Sequence, residues 1–245
     1  MAKPTFRAVA AMLLLAVTGA QGVGAQDFAA ERRQLMEQIS TLAGQTRVET
    51  GRPAFDPRVM DVLAKVPRHE FVPAEQRHLA YENRPLPIGH GQTISQPYIV
   101  ALMTDLARAQ PAHKVLEVGT GSGYQAAVMA QLASRVYTIE IVEPLGQSAT
   151  QRLRRLGYDN VEVRLGDGST GGEEPPPSDA ILVTAAPSHV PPPLIRQLKP
   201  GGRMVIPVGA AFMVQQLMLV EKNADGTVST RQILPVVFVP LTGKR

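Results

Sequence analysis

Hydrophobic residues in the first part of the chain recur at helical spacing. Between Asp27 and Ala43 they predict a helix that Gly44 ends. The pair Asp56-Pro57, an N-cap residue followed by proline, predicts a second helix that stops before Pro67. A third helix is predicted from about Pro97 to Ala109, and the turn-rich residues 84–97 before it are predicted to form an ordered loop.

Beyond the third helix, short apolar runs alternate with helical segments. The predicted elements, in chain order, are the strand Val115–Val118, the helix Ala126–Ala133, the strand Arg135–Ile141, the helix Pro144–Leu156, the strands Val161–Leu165 and Ala180–Thr184, and the helix Pro191–Leu198. Strands that alternate with helices favour a parallel sheet that is covered on both faces.

The last part of the chain lacks helical periodicity. Four strands are predicted there without helices between them: Met204–Val208, Val214–Val220, Val228–Leu234 and Val236–Val239. The segment Asn223-Ala224-Asp225-Gly226 predicts a hairpin turn. We therefore expect an α/β, Rossmann-like fold, with N-terminal helices and a mostly parallel sheet that has an antiparallel C-terminal end.

The N-terminus has the pattern of a signal peptide. Lys3 and Arg7 precede the apolar run Ala8–Ala20, and Val23-Gly24-Ala25 forms a cleavage-like end before Gln26. The apolar run is too short to span a bilayer comfortably, so stable membrane insertion is not expected. We interpret residues 1–25 as a signal peptide, which predicts a periplasmic or otherwise exported protein. The alternative is a frayed apolar helix with a misassigned start codon, in a cytoplasmic protein.

Residues 26–245 are expected to form a single domain. Its first part, residues 26–110, carries the predicted helices and the ordered loop, and its second part, residues 111–245, is the α/β core. The formal net charge of +4 is small and the basic residues are scattered, so a nucleic-acid partner is not expected. The absence of cysteine excludes a disulfide framework and a thiol nucleophile, and the five dispersed histidines predict no metal site.

A glycine-rich turn carries the strongest local signal. The run Leu116–Tyr124 joins an apolar strand to a helix through a GxGxG turn, Gly119-Thr120-Gly121-Ser122-Gly123. Glycine allows the backbone to turn sharply and to approach a ligand closely, so we interpret this turn as a ligand-binding loop. Residues 121–126 also satisfy the loose dinucleotide fingerprint GxGxxA, which is weak evidence by itself.

Three carboxylates distinguish between the candidate ligands. Glu117 lies in the first strand of the core, Glu140 near the end of the second, and Asp167 just after the third. We expect them to converge at the carboxyl ends of adjacent parallel strands, where open α/β sheets bind ligands. A negative lining disfavours a pyrophosphate and suits the sulfonium and ammonium groups of S-adenosylmethionine (SAM). A nicotinamide-dependent oxidoreductase remains the rival interpretation.

The motifs of one family occur in order along residues 55–243. They are Val66-Pro67-Arg68, Phe71-Val72-Pro73, Ala80-Tyr81-Glu82-Asn83, Leu86-Pro87-Ile88-Gly89, Gly91-Gln92-Thr93-Ile94-Ser95-Gln96-Pro97, Leu116–Tyr124, Gly166-Asp167-Gly168, Val183–Pro187, Leu198–Gly202, Ile206–Gly209 and Phe238–Leu241. On these motifs the chain resembles the bacterial type of protein-L-isoaspartate O-methyltransferase. The segment 91–97 is the most specific of them, because many methyltransferases share the glycine loop.

The resemblance implies a SAM-dependent methyltransferase fold, with SAM as methyl donor and isoaspartyl-containing proteins and peptides as partners of a monomeric enzyme. It implies that Ser95 is the active-site serine and that Glu140 binds the ribose of SAM. The other implied cofactor-binding residues are Thr93, Ile94, Glu117, Gly119, Thr120, Gly121, Ser122, Gly123, Asp167 and Gly168. Relatives often carry Arg or Trp after the Asp167-Gly168 pair, whereas this chain continues with Ser169.

Ser95 also has a purely structural interpretation. A serine shortly before Pro97, at the start of an apolar helix, is typical of an N-cap. The two roles are compatible, since a helix N-terminus favours an anionic substrate nearby. Two further alternatives for the whole chain are a SAM-dependent methyltransferase with another substrate, such as RNA or a small molecule, and an exported, non-catalytic binding protein that kept the fold.

Overall fold

The computed structural model describes residues 28–170 and 177–243. The N-terminal part contains the helices α1 (Ala29–Gln45), α2 (Arg47–Thr50), α3 (Pro57–Lys65) and α4 (Pro97–Ala107), and a hairpin of β1 (Leu86–Gly89) and β2 (Gln92–Ile94). The core contains the strands β3 (Lys114–Val118), β4 (Arg135–Glu140), β5 (Val161–Leu165), β6 (Ser178–Val183), β7 (Leu198–Val208), β8 (Gln215–Lys222) and β9 (Val228–Val236), and the helices α5 (Tyr124–Ala130), α6 (Glu143–Arg155) and α7 (Pro192–Gln197).

The seven core strands form one sheet in the order β5-β4-β3-β6-β7-β8-β9. The pairs from β5 to β7 are parallel, and β7–β8 and β8–β9 are antiparallel. This confirms the predicted mostly parallel sheet with an antiparallel end. The order reverses at β3, because β4 lies on one side of it and β6 on the other. Ligands bind in open α/β sheets at such a reversal, outside the carboxyl ends of the strands.

Two hydrophobic clusters cover opposite faces of this sheet. Successive residues of a strand point to opposite faces, and accordingly Val115 belongs to the larger cluster and Leu116 to the smaller one. The larger cluster joins the sheet to the N-terminal helices, through residues such as Ile39 of α1, whereas the smaller one includes Leu194 of α7. In the described part of the chain, no helix is long and apolar enough to cross a membrane.

The first predicted helix extends further than expected. Its predicted start, Asp27, lies outside the described residues, and Gly44 does not end it, because α1 continues to Gln45 and α2 follows at once. The helical segment ends at Gly51, which has the left-handed conformation of a C-cap residue, with φ = 67°. By contrast, Asp56 caps α3 as predicted, and its side chain accepts a hydrogen bond from the Arg58 N–H.

Residues 84–97 were predicted to be a loop, and they contain the antiparallel hairpin β1–β2. Its tip is unusual, because Gly89, His90 and Gly91 all have positive φ, at 90°, 53° and 71°. The strands are short, and the segment around them contains prolines and this tip, so the sequence shows no period-two alternation that would predict them. The hairpin is stabilised by tertiary packing, since Leu86 and Ile94 pair with each other and both are buried.

The C-terminal strands also differ from their predicted limits. The predicted helix up to Leu198 ends at Gln197, and β7 already begins at Leu198 and runs through the Pro-Gly-Gly segment with an irregular register. Residues 228–236 form one strand instead of two, and residues 237–239 are not part of it. They lead into Pro240, which forms an isolated bridge with Ala186. This path brings residues 237–243, the C-terminal segment, to the carboxyl ends of the parallel strands.

Candidate active site

A cavity opens at the carboxyl ends of β3 and β4. Its lining comes from the glycine loop, from the second strand of the hairpin, and from the C-terminal segment. Of the predicted site residues, it brings together Thr93, Ile94, Ser95, Glu117, Gly119, Thr120, Gly121, Ser122, Glu140 and Gly168. Gly123 and Asp167 are not among the lining residues.

The glycine loop needs its first glycine for two reasons. Gly119 has φ = 100°, a left-handed conformation that side chains rarely adopt. A Cβ atom at Gly119 would also lie 2.5 Å from Oγ1 of Thr184. That hydroxyl donates hydrogen bonds to the carbonyl oxygens of Gly119, at 2.7 Å, and of Val118, at 3.1 Å. Thr184, which sequence reasoning missed as a site residue, therefore holds the loop from the end of β6.

Gly123 serves packing instead of lining the cavity. It has φ = 86° and stands at the N-terminal cap of α5. A Cβ atom there would meet Leu153 at 3.1 Å and Ala149 at 3.5 Å, both on α6. The missing side chain therefore allows α6 to lie close to the glycine loop.

Glu140 is anchored by the backbone of the site. Its Oε2 accepts a hydrogen bond from the Gly121 N–H at 2.7 Å, and its Oε1 accepts one from the Val142 N–H at 2.9 Å. Its exposed fraction is 6%. Two amide donors hold the carboxylate in one orientation, so Glu140 presents a fixed pair of acceptor oxygens at the end of β4.

Glu117 is a buried carboxyl group with a free oxygen. It is fully buried, and its Oε2 accepts a hydrogen bond of 2.5 Å from Oγ1 of Thr138. The other oxygen, Oε1, has no hydrogen-bond partner among residues 28–170 and 177–243. Burial raises the pKa of Glu117 to about 8, the hydrogen bond from Thr138 opposes this, and the charge of Glu140 adds to it. Such a group can accept a cationic ligand and then ionise.

Asp167 does not line the cavity, although it follows β5 as predicted. Its Oδ1 accepts a hydrogen bond from the Ser169 N–H at 2.8 Å. A Cβ atom placed on Gly243 would lie 2.7 Å from its Oδ2, so the carboxylate lies against the C-terminal segment. The expected convergence of three carboxylates is therefore realised for Glu117 and Glu140, while Gly168 is the part of the Asp167-Gly168 pair that lines the cavity.

Ser95 lies opposite the glycine loop, where β2 leads into α4. The prediction that it caps α4 is wrong. The N-cap residue is Gln96, and Oδ1 of Asn83 accepts the hydrogen bond from the Tyr98 N–H at 3.0 Å. A side chain distant in sequence thus does the capping, which leaves the Ser95 hydroxyl available to the cavity.

An arginine that sequence reasoning did not place in the site lies behind Ser95. Arg68 is fully buried. Its Nη2 donates a hydrogen bond to the Ser95 carbonyl oxygen at 2.7 Å, and its Nε donates one to the Ala80 carbonyl oxygen at 2.9 Å. Its guanidinium carbon lies 4.8 Å from the ring centroid of Tyr124. The family motif Val66-Pro67-Arg68 was the sequence signal that could have pointed to it.

A second cleft adjoins the cavity and shares Thr93, Ser95, Thr184 and Val239 with it. None of the described residues that line this cleft is charged. They are Pro85, Thr93, Ser95, Gln96, Ile99, Thr184, Val214 and residues 235–239. Val214 and Val237 at its edge are 64% and 73% exposed. The site therefore combines an anionic cavity with an uncharged, partly apolar cleft, and Ser95 lies where the two meet.

Comparison with known proteins agrees with this arrangement. The family model described as protein-L-isoaspartate(D-aspartate) O-methyltransferase (PCMT) matches residues 46–245. A relative from a Polaromonas species, named protein-L-isoaspartate O-methyltransferase 2, is 79% identical over 86% of this chain and 100% of its own. Relatives from Cupriavidus necator and Syntrophobacter fumaroxidans, named protein-L-isoaspartate O-methyltransferase 1 and 2, are 62% and 58% identical. The first covers 97% of this chain and 90% of its own, and the second covers 99% of both.

Solved structures agree as well. The solved structure of a protein-L-isoaspartate O-methyltransferase superposes on this one with a TM-score of 0.75 at 27% identity. The match covers 86% of this chain and 66% of that chain, which is just under two thirds of its length. A Plasmodium falciparum protein in complex with S-adenosyl-L-homocysteine has a TM-score of 0.68 at 24% identity, over 87% of this chain and 99% of that one, and shares the fold. The family model spans the glycine loop, the hairpin and the residues that line the cavity and the adjoining cleft. The chain therefore belongs to the protein-L-isoaspartate(D-aspartate) O-methyltransferase family.

Proposed function

We propose that this protein transfers the methyl group of SAM to the free carboxylate of L-isoaspartyl residues in damaged proteins and peptides. The observation that carries the proposal is the junction at Ser95. A cavity with two buried carboxyl groups meets there an uncharged cleft that is open to solvent. The first suits a cationic methyl donor, and the second suits a polypeptide acceptor.

The cavity fits SAM by its donor and acceptor groups. Glu117 offers a buried oxygen without a hydrogen-bond partner in the described residues, and such an atom calls for a ligand. Glu140 offers fixed acceptors to which ribose hydroxyls can donate. The glycine loop brings backbone close to the ligand without side chains in the way. A pyrophosphate would meet two carboxyl groups and no basic side chain among the described lining residues, which disfavours a nicotinamide coenzyme.

We assign the cofactor roles accordingly. The residues Gly119–Ser122 hold the methionine part, with Glu117 beside its charged groups. Glu140 holds the ribose, Gly168 approaches the adenine, and Thr93 and Ile94 close the cavity from the hairpin side. Asp167 contributes indirectly: its carboxylate accepts a hydrogen bond from the Ser169 N–H and lies against the C-terminal segment.

When bound, SAM supplies an electrophilic methyl group on a positively charged sulfur. The substrate carboxylate is already ionised at neutral pH, so it needs no general base. One of its oxygens bonds to the methyl carbon while the carbon–sulfur bond breaks, and S-adenosylhomocysteine leaves with the bonding electrons. Alignment of the two reactants is then the main task of the protein, and good alignment can lower a barrier by roughly 7–11 kcal/mol in ideal cases.

We assign Ser95 to this alignment. Its hydroxyl is not used as a helix cap, and it lies where the cavity and the cleft meet. It can therefore donate a hydrogen bond to the substrate carboxylate and fix the direction of attack. Within the described residues, its side chain has no basic partner that would make it a nucleophile.

The direct test is methyl transfer from isotope-labelled SAM to a pair of peptides that differ only in an isoaspartyl or a normal aspartyl linkage. Label should enter the isoaspartyl peptide and leave the aspartyl peptide unmodified. Unmodified tRNA in a parallel reaction tests the rival acceptor. Transfer to tRNA, or equal transfer to both peptides, would contradict the proposal. SAM binding without any transfer would favour the non-catalytic binding protein.

We also propose that residues 1–25 direct export, on the strength of the basic, apolar and small-residue segments that follow one another there. The test is mass spectrometry of the protein from separated periplasmic and cytoplasmic fractions. Export predicts a mature chain that begins at Gln26 in the periplasmic fraction. An intact N-terminus in the cytoplasmic fraction would contradict it.

A further inference from the structure

Arg68 is a buried cation without a counterion in the described part of the chain. Its exposed fraction is 0%, and none of the described carboxylates bonds to it. The acid nearest to it along the chain, Glu70, accepts a hydrogen bond from Nη2 of Arg155 at 2.7 Å. Moreover, Nη1 of Arg68 has no hydrogen-bond partner among residues 28–170 and 177–243. Burying a charge without a counterion and with an unpaired N–H group costs free energy of folding, which indicates that Arg68 has a functional role.

The contacts of Arg68 join three separate parts of the site. Ala80 precedes the hairpin, Ser95 follows it, and Tyr124 begins α5 directly after the glycine loop. The guanidinium group donates to the carbonyl oxygens of the first two and stacks on the ring of the third. One planar group therefore sets the position of the Ser95 main chain relative to the glycine loop.

We infer that Arg68 is a positioning residue that acts through Ser95: it fixes the Ser95 main chain against the start of α5, and its uncompensated positive charge favours an anionic acceptor on the Ser95 side of the cleft. This inference rests on the proposed function, and it adds a residue and an electrostatic role to it.

The charges around the site explain why such a cation is useful. A substrate carboxylate that enters the uncharged cleft finds no ion-pair partner among its described lining residues. On its far side it approaches the carboxylate of Glu140, whose negative charge repels it. A buried positive charge next to Ser95 acts through a medium of low dielectric and is little screened by salt, so it offsets this repulsion. Burial lowers the pKa of Arg68 to about 10, which leaves it protonated at neutral pH.

The experiment compares Arg68→Met, Arg68→Lys and a control, Arg32→Met. Arg32 is a partly buried arginine that, like Arg68, donates to a backbone carbonyl, here that of Ala64. It also donates to the Tyr81 hydroxyl, and neither bond involves Ser95. We expect Arg68→Met to lower kcat/KM for an isoaspartyl peptide by about tenfold or more, as loss of a charge-assisted hydrogen bond does. Its SAM affinity should stay within about twofold of the unsubstituted protein, and Arg68→Lys should recover part of the loss because it keeps the charge.

A second readout separates electrostatics from a merely structural role. The isoaspartyl peptide and its uncharged carboxamide analogue are each tested for binding in the presence of S-adenosylhomocysteine. The unsubstituted protein and Arg32→Met should prefer the carboxylate peptide. The preference should shrink in Arg68→Met and persist in Arg68→Lys.

Equal binding of the two peptides by the unsubstituted protein would overturn the electrostatic role, even if Arg68→Met did not fold. An unchanged preference in a folded Arg68→Met variant, shown by circular dichroism, would overturn it as well. Failure of the proposed function gives a different result, since the unsubstituted protein would then bind SAM but methylate no isoaspartyl peptide.

Discussion

The cofactor cavity and the acceptor cleft recognise their ligands by different means. The cavity uses fixed polar groups, with Glu140 held by two amides and Gly119 held by Thr184. The cleft has uncharged lining residues and exposed apolar side chains at its edge, such as Val237. A single small donor can be matched atom by atom, whereas an acceptor that occurs in many polypeptides cannot. We therefore expect substitutions in the cavity to have large effects on SAM affinity, and substitutions in the cleft to have small effects on peptide KM.

The largest effect is expected from Gly119→Ala. The new methyl group would overlap with Oγ1 of Thr184, in a backbone conformation that disfavours a side chain. A distortion that costs about 3 kcal/mol weakens SAM binding on the order of 100-fold. The matched control is Gly226→Ala, since Gly226 has φ = 84° and no atom within 4 Å of an added Cβ. Calorimetry should show normal SAM affinity for the control, and equal losses in both variants would sink this explanation.

Glu140→Ala should weaken SAM binding by roughly 10- to 100-fold, because hydrogen bonds to an ionised group each contribute about 1.5–3 kcal/mol. Glu143→Ala, a nearby exposed glutamate in the first turn of α6, serves as the control. The measurement is SAM affinity by calorimetry. Normal affinity in Glu140→Ala would remove this residue from the cofactor site.

Glu117 should make SAM affinity depend on pH. Since burial raises its pKa to about 8, the carboxyl group is protonated in the ligand-free protein at neutral pH and must ionise to pair with a cation. Affinity for SAM should rise by up to about tenfold per pH unit between pH 6 and 8, whereas affinity for S-adenosylhomocysteine, which lacks the sulfonium charge, should change less. Glu117→Gln should abolish the difference between the two ligands. Parallel pH profiles for both ligands in the unsubstituted protein would contradict this role.

The same shift predicts the pH dependence of stability. The folded protein binds the Glu117 proton more tightly than the unfolded chain does, because the pKa rises from 4.5 to about 8 on folding. This contribution to the free energy of unfolding is fully present below pH 4.5 and is lost as the pH rises to about 8. Thermal unfolding of the ligand-free protein across this range should show a steeper loss for the unsubstituted protein than for Glu117→Gln.

Ser95→Ala should lower kcat by roughly tenfold, the lower end of the range for a hydrogen bond to an ionised group, and leave SAM affinity nearly unchanged. Ser40→Ala, at an exposed serine of α1, is the control. Steady-state kinetics and SAM titration give the two numbers. A loss of SAM affinity equal to that of Glu140→Ala would show that Ser95 acts on the cofactor and not on the acceptor.

The smallest effect is expected from Val237→Ser at the edge of the cleft. Less apolar contact with the peptide should raise its KM about fourfold without changing kcat, since each buried methylene contributes about 0.8 kcal/mol. Val48→Ser is matched to it, because Val48 is 82% exposed and lies on α2. An effect larger than that of Ser95→Ala would mean that the cleft is as selective as the cavity.

Local patterns along the chain were sufficient for the α/β core. Apolar runs separated by helical segments predicted the parallel strands, and the spacing from the glycines to Glu140 predicted its place at the end of β4. Periodicity and turn chemistry act between neighbours in sequence, so they survive without tertiary information. The hairpin β1–β2 could not be predicted in this way, because its strands are too short to show a period and are stabilised by burial of Leu86 and Ile94.

The sequence by itself determined the family, the order of the core elements and ten of the residues that line the cavity. Only the tertiary structure decided that Asn83 caps α4 in place of Ser95, that Asp167 turns toward the C-terminal segment, and that Arg68 lies buried behind Ser95. The physical reason is the range of the contacts. Each of these side chains contacts at least one residue 12 or more positions away in sequence, which only folding brings close.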